Sequence, residues 1–527
     1  MTHWIIAPVV LPAFLAPFIV LAARYHMGIQ RVFSVAGVLA LIAIAAGLVW
    51  QASDGTVTLY QLSDWAAPFG IVLVADRLST MMVLLTSILA LMVLLYGIGS
   101  KWDERGRHFH ALFQFQIMGI MGAFLTGDLF NLFVFFEILL IASYGLMIHS
   151  GGNVRLKAGV QYVSFNLIGS TLFLFALGSI YAETGTLNMA DLAARAQMVG
   201  AEQTVGIRVA AVLLLLVFAI KAALVPLHVW LPSSYAEAPP VVAALFAIMT
   251  KVGAYAIIRV YTMIFPESLE ATAGLHHTWL MPFALLSLAL GMIGLLAAKK
   301  LDRLVAFSVV GSMGMVMVAI SMFSEAGISA ALYYIVHSTF AAAALFLIVD
   351  LVEQSRNDLQ LTTQPPIAGA PLTAGLFFAA AIAMAGLPPL SGFVGKLLIL
   401  NAGFSEGAMP WIWAIILGSS LISVVGFARA GSVVFWKSES LRPEVDEDDD
   451  DSQEVSEDDQ QAPSALAYGA VMGLLALIAL HTVLAGPMTR YMQATSAQLF
   501  APDAYMEKVL DTPGKLSKPK DSSEEDH

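Results

Sequence analysis

Cysteine is absent from all 527 residues. Disulfides, thiolate zinc sites and cysteine-ligated iron–sulfur clusters are therefore excluded. Charge is scarce too. Asp, Glu, Lys and Arg make up 12% of the chain, about half the share in a soluble globular protein. No basic arm or stripe of the kind that binds nucleic acid occurs. The amino terminus, MTHW, lacks the positive opening of a cleaved signal and runs straight into apolar sequence. It reads as a retained first helix. No recognisable motif for NAD or flavin is present, and neither a cofactor nor a metal is expected.

What is abundant is apolar. Hydrophobic residues form 58% of the chain, and the mean hydropathy is +0.79. Lipid, not water, must be the main solvent of such a fold. A helix needs roughly 20 apolar residues to cross the hydrocarbon core. Segments near 5–23, 33–51, 78–98, 111–126, 130–148, 158–182, 207–227, 239–263, 281–298, 304–322, 328–350, 372–399, 411–434 and 465–485 meet this. The predicted fold class is an all-α polytopic membrane protein with about fourteen transmembrane helices. The net charge of −12 is concentrated in the run Glu444–Asp459 and in the tail near Glu524. Residues 438–462 read as a solvated acidic loop, and 488–527 as a polar tail following a last helix within 463–487.

Lys and Arg fall in alternate loops. Arg24 and Arg31 lie between the first two helices, and Lys101, Arg105 and Arg107 follow the third. Arg155 and Lys157 follow the fifth, Lys299, Lys300 and Arg303 the ninth, and Arg429 and Lys437 mark the end of the thirteenth. The intervening loops 52–77, 183–206 and 264–280 carry Asp54, Asp64, Glu183, Asp191, Glu267 and Glu270 instead. By the positive-inside rule the first set faces the cytoplasm and both termini lie outside.

Two helices are interrupted by proline, and each carries one lysine. The seventh reads FAIKAALVPLHVWLP, with Lys221 before Pro226 and Pro232. The twelfth reads AMAGLPPLSGFVGKLLIL, with Pro388 and Pro389 before Lys396. Paired interrupted helices point to an inverted-repeat transporter, with the site at the breaks. This suggests one repeat in 111–263 (helices four to eight) and a second in 281–437 (nine to thirteen), after the amino-terminal helices of 1–110.

Ionisable residues within spans are costly and usually functional. Here they are Glu137, Lys221, Lys251, His337 and Lys396, with His228 and Glu237 as accessory candidates. Plainer roles compete. A lysine near a membrane end can snorkel, Glu137 can form a static ion pair, and His337 can simply pack. Arg259, nearer a helix end, reads as a snorkelling residue. The chemistry nevertheless favours proton transfer. A free lysine titrates near about 10.4, burial pushes that value down and a carboxylate pushes it up. A buried lysine whose partner comes and goes can load and release a proton. Histidine suits the middle of such a relay.

TGDLFNLFVFFEILLIASYGL, KAALVPLHVWLPSSYAEAPPVVAALFAIMTKVGAY and GLPPLSGFVGK resemble the antiporter-like subunits shared by respiratory complex I and the Mrp-type multisubunit cation/proton antiporters. The wording is closest to the D subunit of the Mrp type. The resemblance covers roughly helices three to thirteen. It implies fourteen helices, two inverted five-helix repeats, and a proton relay of Glu137, Lys221, Lys251, His337 and Lys396. Many complex I relatives carry a lysine four residues after that histidine. Here the position is Ala341, which favours the antiporter reading. The resemblance also implies a multi-pass protein of the bacterial inner membrane. It would work beside other membrane subunits on protons and a monovalent cation, without covalent chemistry. A proton-pumping subunit of complex I or a membrane hydrogenase is the alternative, and an inert scaffold a third.

Overall fold

The computed structural model describes residues 2–149, 151–198, 204–356, 358–366, 369–439 and 463–514. Most of the expected acidic loop, and the tail beyond residue 514, lie outside the described residues. The chain is almost entirely helical. α1 (Ala7–Leu21) and α2 (Met27–Ala52) lead into a short hairpin, β1 (Thr58–Gln61) and β2 (Val72–Ala75). There follow α3 (Arg77–Gly99), α4 (Phe109–Leu125), α5 (Leu129–Met147), α6 (Asn153–Thr184) and the short α7 (Met189–Ala196). α8 (Thr204–Lys221), α9 (Trp230–Glu237), α10 (Pro240–Phe246) and α11 (Met249–Met263) come next. α12 (Met281–Ala297), α13 (Leu301–Ser321), α14 (Glu325–Arg356), α15 (Ala370–Ala385), α16 (Ser391–Ala402) and α17 (Met409–Gly431) follow. A single turn, α18 (Lys437–Glu439), precedes α19 (Ala465–Val483), α20 (Ala485–Phe500) and α21 (Asp503–Leu510).

Among the described residues, ten helices have the length and apolarity of a membrane span, and α1, α4 and α15 are shorter apolar helices. The seventh expected segment is cut at Lys221, because the chain beyond it cannot stay helical through Pro226.

Burial sorts these helices into an inner and an outer set. The most apolar stretch of α10–α11 is wholly enclosed, and those of α13 and α14 are 94% enclosed. Those of α2, α17 and α19 are only 33% buried, so their remaining surface is left for lipid. Lys251 on α11 and His337 on α14, both 0% exposed, therefore have no lipid-facing route to water, and snorkelling is closed to them.

One end of the bundle is capped. β2 and the Asn188 turn both pair with the strip between α4 and α5: Gly127 N–H donates to Val72 O (2.9 Å) and Met189 N–H to Gly127 O (2.9 Å). The carboxy-terminal helices fasten this cap, contrary to the reading of 488–527 as merely a polar tail. Tyr491 donates to Arg77 O (3.0 Å), Gln498 to Gly55 O (2.9 Å) and Gln61 to Thr512 O (2.9 Å). Met488, Met492, Leu499, Tyr505 and Val509 turn inward. The tail looked polar in composition, but helical spacing gathers its few apolar residues on one side.

Beneath the cap lies a buried ion pair. Arg259 of α11 grips Asp76 with two hydrogen bonds, of 2.6 and 2.8 Å. Asp76 also caps α3 by accepting from Ser79 N (2.8 Å). Both residues are under 5% exposed, so Arg259 does not snorkel. Its partner stands 183 positions away in the chain, which no local reading could reveal.

Removing one partner of such a pair costs about 3–5 kcal/mol, whereas replacing both with apolar groups can be neutral. Asp76→Asn should sharply lower the amount of chain in the membrane, read by immunoblot. The double change Asp76→Leu with Arg259→Met should recover most of it.

Candidate functional site

A helix broken inside a membrane frees backbone groups that need new partners. The first break follows Lys221. Ala223 takes a left-handed conformation (φ 55°), a geometry that costs an ordinary residue about 1–2 kcal/mol. Neighbours satisfy the freed groups. Ser287 of α12 accepts from Val225 N–H (2.8 Å), and the Trp230 indole donates to Ile220 O (3.1 Å). The second break follows Ala385. Gly386 is left-handed (φ 72°), and here the lysine itself satisfies the backbone. Lys396 Nζ donates to Ala385 O (2.6 Å) and to Ser420 Oγ of α17 (2.9 Å). An ammonium at the carboxy-terminal end of a helix also meets the negative pole of its dipole. Lys221, as the last residue of α8, sits at the corresponding pole.

α6 lies between Glu137 and Lys221. Asn166 and Ser170 of α6 are one turn apart and share a face. The Ser170 hydroxyl donates to Glu137. Lys221 Nζ donates to Asn166 Oδ1 (3.3 Å), while the amide of Asn166 is held by Tyr162 O (2.9 Å). Lys221 also stands 5.8 Å from the centre of the Phe136 ring. Among the described residues Glu137 and Lys221 form no direct ion pair; each is bonded instead to a different side chain of α6. Sequence reading missed Asn166 and Ser170. Nothing in the sequence of α6 set them apart, since the helix also carries Gln161, Ser164, Thr171 and Ser179.

Lys251 opens α11 and is wholly buried, and its Nζ has no hydrogen-bond partner. Just before it, Ala247 and Ile248 interrupt the span. Their amides bond only three residues back, to Ala244 and Leu245 (3.3 Å each). The eighth span is therefore irregular as well, which no proline at that point announces. His337 of α14 is fully buried. Its Nδ1 lies 2.8 Å from Ser391 Oγ, at the start of α16. Its Nε2 faces Gly392 and the Ala383 carbonyl without a well-formed hydrogen bond. His337 and Lys396 thus meet at the same break. Ser391 and Ser420 complete that site and were not singled out in the sequence.

The accessory candidates stand apart. His228 is half-buried in the turn after the first break. Glu237 lies near the Lys/Arg-rich loops, 3.9 Å from Arg303. It lines a polar cavity of about 200 Å³ with Arg155, Lys300, Asp302 and Glu353. A further buried histidine, His481 of α19, stacks on Tyr333 at 4.2 Å. No group of three or more His, Cys, Asp or Glu side chains able to hold a metal occurs among the described residues.

Interrupted membrane helices around enclosed ionisable side chains define a helical ion-transport protein. The chain belongs to the NADH:quinone oxidoreductase/Mrp antiporter transmembrane family, whose model matches residues 126–423. It is 36% identical to the D subunit of a probable K(+)/H(+) antiporter of Rhizobium meliloti, over 97% of this chain and 98% of that one. It is also 36% identical to the D subunit of the Na(+)/H(+) antiporter of Bacillus subtilis, over 97% and 100%. Its fold is similar to a chain in the Mrp complex of a Dietzia species, with a TM-score of 0.83 and 28% identity, over 97% and 100% of the two chains.

The second break leaves no room beside Lys396. A Cβ on Gly386 would lie 2.6 Å from Lys396 Cδ and 2.9 Å from its Nζ, whereas one on Gly375 of the neighbouring α15 helix would meet nothing within 4 Å. Gly386→Ala should destabilise the chain by at least about 1–2 kcal/mol, seen as a lower melting temperature. Gly375→Ala should not lower it.

Proposed function

We propose that this chain is the proton-translocating subunit of a multisubunit monovalent cation (Na+)/H+ antiporter. Glu137, Lys221, Lys251, His337 and Lys396 form its relay. One observation carries this reading: three lysines and a histidine are enclosed within the bundle at or beside interrupted helices. Lys251 and His337 are 0% exposed, and Lys221 and Lys396 5%. Static bundle packing gives no reason to bury so many basic groups, each of which costs several kcal/mol when desolvated.

The geometry suggests how protons move. A buried amine holds its proton while a carboxylate or a helix-end carbonyl faces it, and yields the proton when that partner withdraws. Ser170 and Asn166 connect Glu137 to Lys221 in the first repeat, and Ser391 and the Ala385 carbonyl connect His337 to Lys396 in the second. Lys251 stands on the most enclosed helix with an Nζ that has no hydrogen-bond partner, so in this reading water links it to the two breaks. Flexing at either break changes which acceptor a lysine meets. No covalent bond is made or broken, so the chain acts as a transporter subunit and not as an enzyme. Full-length relatives named as antiporter subunits support this reading over a redox-driven pump. Their names differ in the cation, K+ in one and Na+ in the other. By the same likeness, the working unit includes other membrane subunits of an Mrp-type complex.

The test is cation-driven proton movement in vesicles holding the complete complex, with Na+, Li+ and K+ supplied in turn. Lys221→Ala and Glu137→Ala should each slow exchange by about tenfold or more, equivalent to at least about 1.4 kcal/mol on the barrier. Assembly should be normal. Unchanged exchange in correctly assembled complexes would remove these residues from the relay.

A further inference from the structure

Helices α2 and α4 hold a second buried ionic site, outside the two broken helices. His110 and Asp103 are both 0% exposed, and His110 Nε2 lies 3.2 Å from Asp103 Oδ2. Arg31 of α2 holds the same carboxylate with bonds of 2.6 and 2.9 Å, and reaches Glu104 at 2.7 Å. The carboxylate thus orients the imidazole so that Nε2–H donates and Nδ1 carries the lone pair. That Nδ1 has no partner in the protein, and neither does the amide of Gln114, wholly buried one turn further along α4. Spacing of i, i+4 places His110 and Gln114 on one face. These three unsatisfied polar atoms on one helix face, an acceptor on the ring and a donor and acceptor on the amide, are groups that a bridging water would satisfy.

We propose that Asp103, His110 and Gln114 form a hydrated proton-transfer site at the Lys/Arg-rich face, exchanging protons between that surface and Lys251. The proposal rests on the relay described above. A proton delivered by water binds Nδ1, and the resulting imidazolium is balanced by the Asp103 carboxylate. Its release to the water held by Gln114 restores the neutral ring. Histidine fits the step because its ordinary pKa lies close to neutrality. Helix α4 then runs on to Lys251's helix, where Tyr255 of α11 donates to Phe124 O (2.6 Å). Lys251 stands one turn before Tyr255 and offers an unpartnered Nζ. The other charged groups near His110 are Arg31 and Glu104, with His149 across the Phe109 ring and Arg155 and His108 behind it.

The experiment compares H110Q, Q114L and K251A in the complete complex, in vesicles, across a range of external pH. Glutamine at 110 can still donate to Asp103 but cannot carry a proton. H110Q should lose about tenfold in rate, with a pH profile that differs from the parent's. Q114L removes two orphaned polar atoms from a buried position, so a purely structural site would leave the complex equally or more stable and fully active. A hydrated pathway predicts instead a slowed exchange in a complex that melts no earlier than the parent. If H110Q fails to assemble, Q114L decides by the same readout. Parental rates and pH profiles in H110Q and Q114L, beside an inactive K251A, would overturn the hydrated site and leave the relay standing. Parental exchange in K251A would overturn the relay, and with it the destination proposed here.

Discussion

A backbone group released inside hydrocarbon must find a partner within the protein. That constraint fixes where charge can sit in this molecule. At the first break the partners are a serine hydroxyl and an indole N–H, and at the second an ammonium. Lys396 is thus part of what allows its helix to be broken. The break in turn supplies the carbonyl that the buried amine bonds. Each feature favours the other, which places Lys396 at the second break.

The remaining architecture isolates these groups. α10, α11, α13 and α14 are enclosed by helices that face lipid, so polar side chains on them answer to one another. The cap of hairpin, α7 and carboxy-terminal helices closes one end, and the Asp76–Arg259 pair fastens it to the helix that carries Lys251. Lys251 and Arg259 stand two turns apart on α11, the first without a partner and the second with a bidentate one. Under the proposed relay, the contrast separates a charge held for structure from one that exchanges its proton.

Much of this was legible in the sequence. Apolar length located most of the helices, and Pro226, Pro388 and Pro389 marked both breaks. Buried ionisable residues stood out because they are expensive. What stayed hidden depended on contacts across the chain. Arg259 read as snorkelling because Asp76, its partner, ends a distant loop. Asn166, Ser170, Ser391 and Ser420 are common residues whose importance comes only from the side chain opposite. Composition made the final segment look like a polar tail, whereas α20 and α21 use a few well-spaced apolar residues to dock. The interruption at Ala247–Ile248 carried no proline to announce it.

Proton flux through proteoliposomes containing the complete complex, with Lys396 changed to Met, tests the central claim most directly. Methionine keeps an unbranched side chain, one atom shorter, and removes the amine with its proton. A working relay predicts that proton flux coupled to the cation gradient is lost while the complex stays assembled, and that Lys396→Arg, which stays charged, fails as well. Parental flux in Lys396→Met would show that the break lysine only holds the fold together.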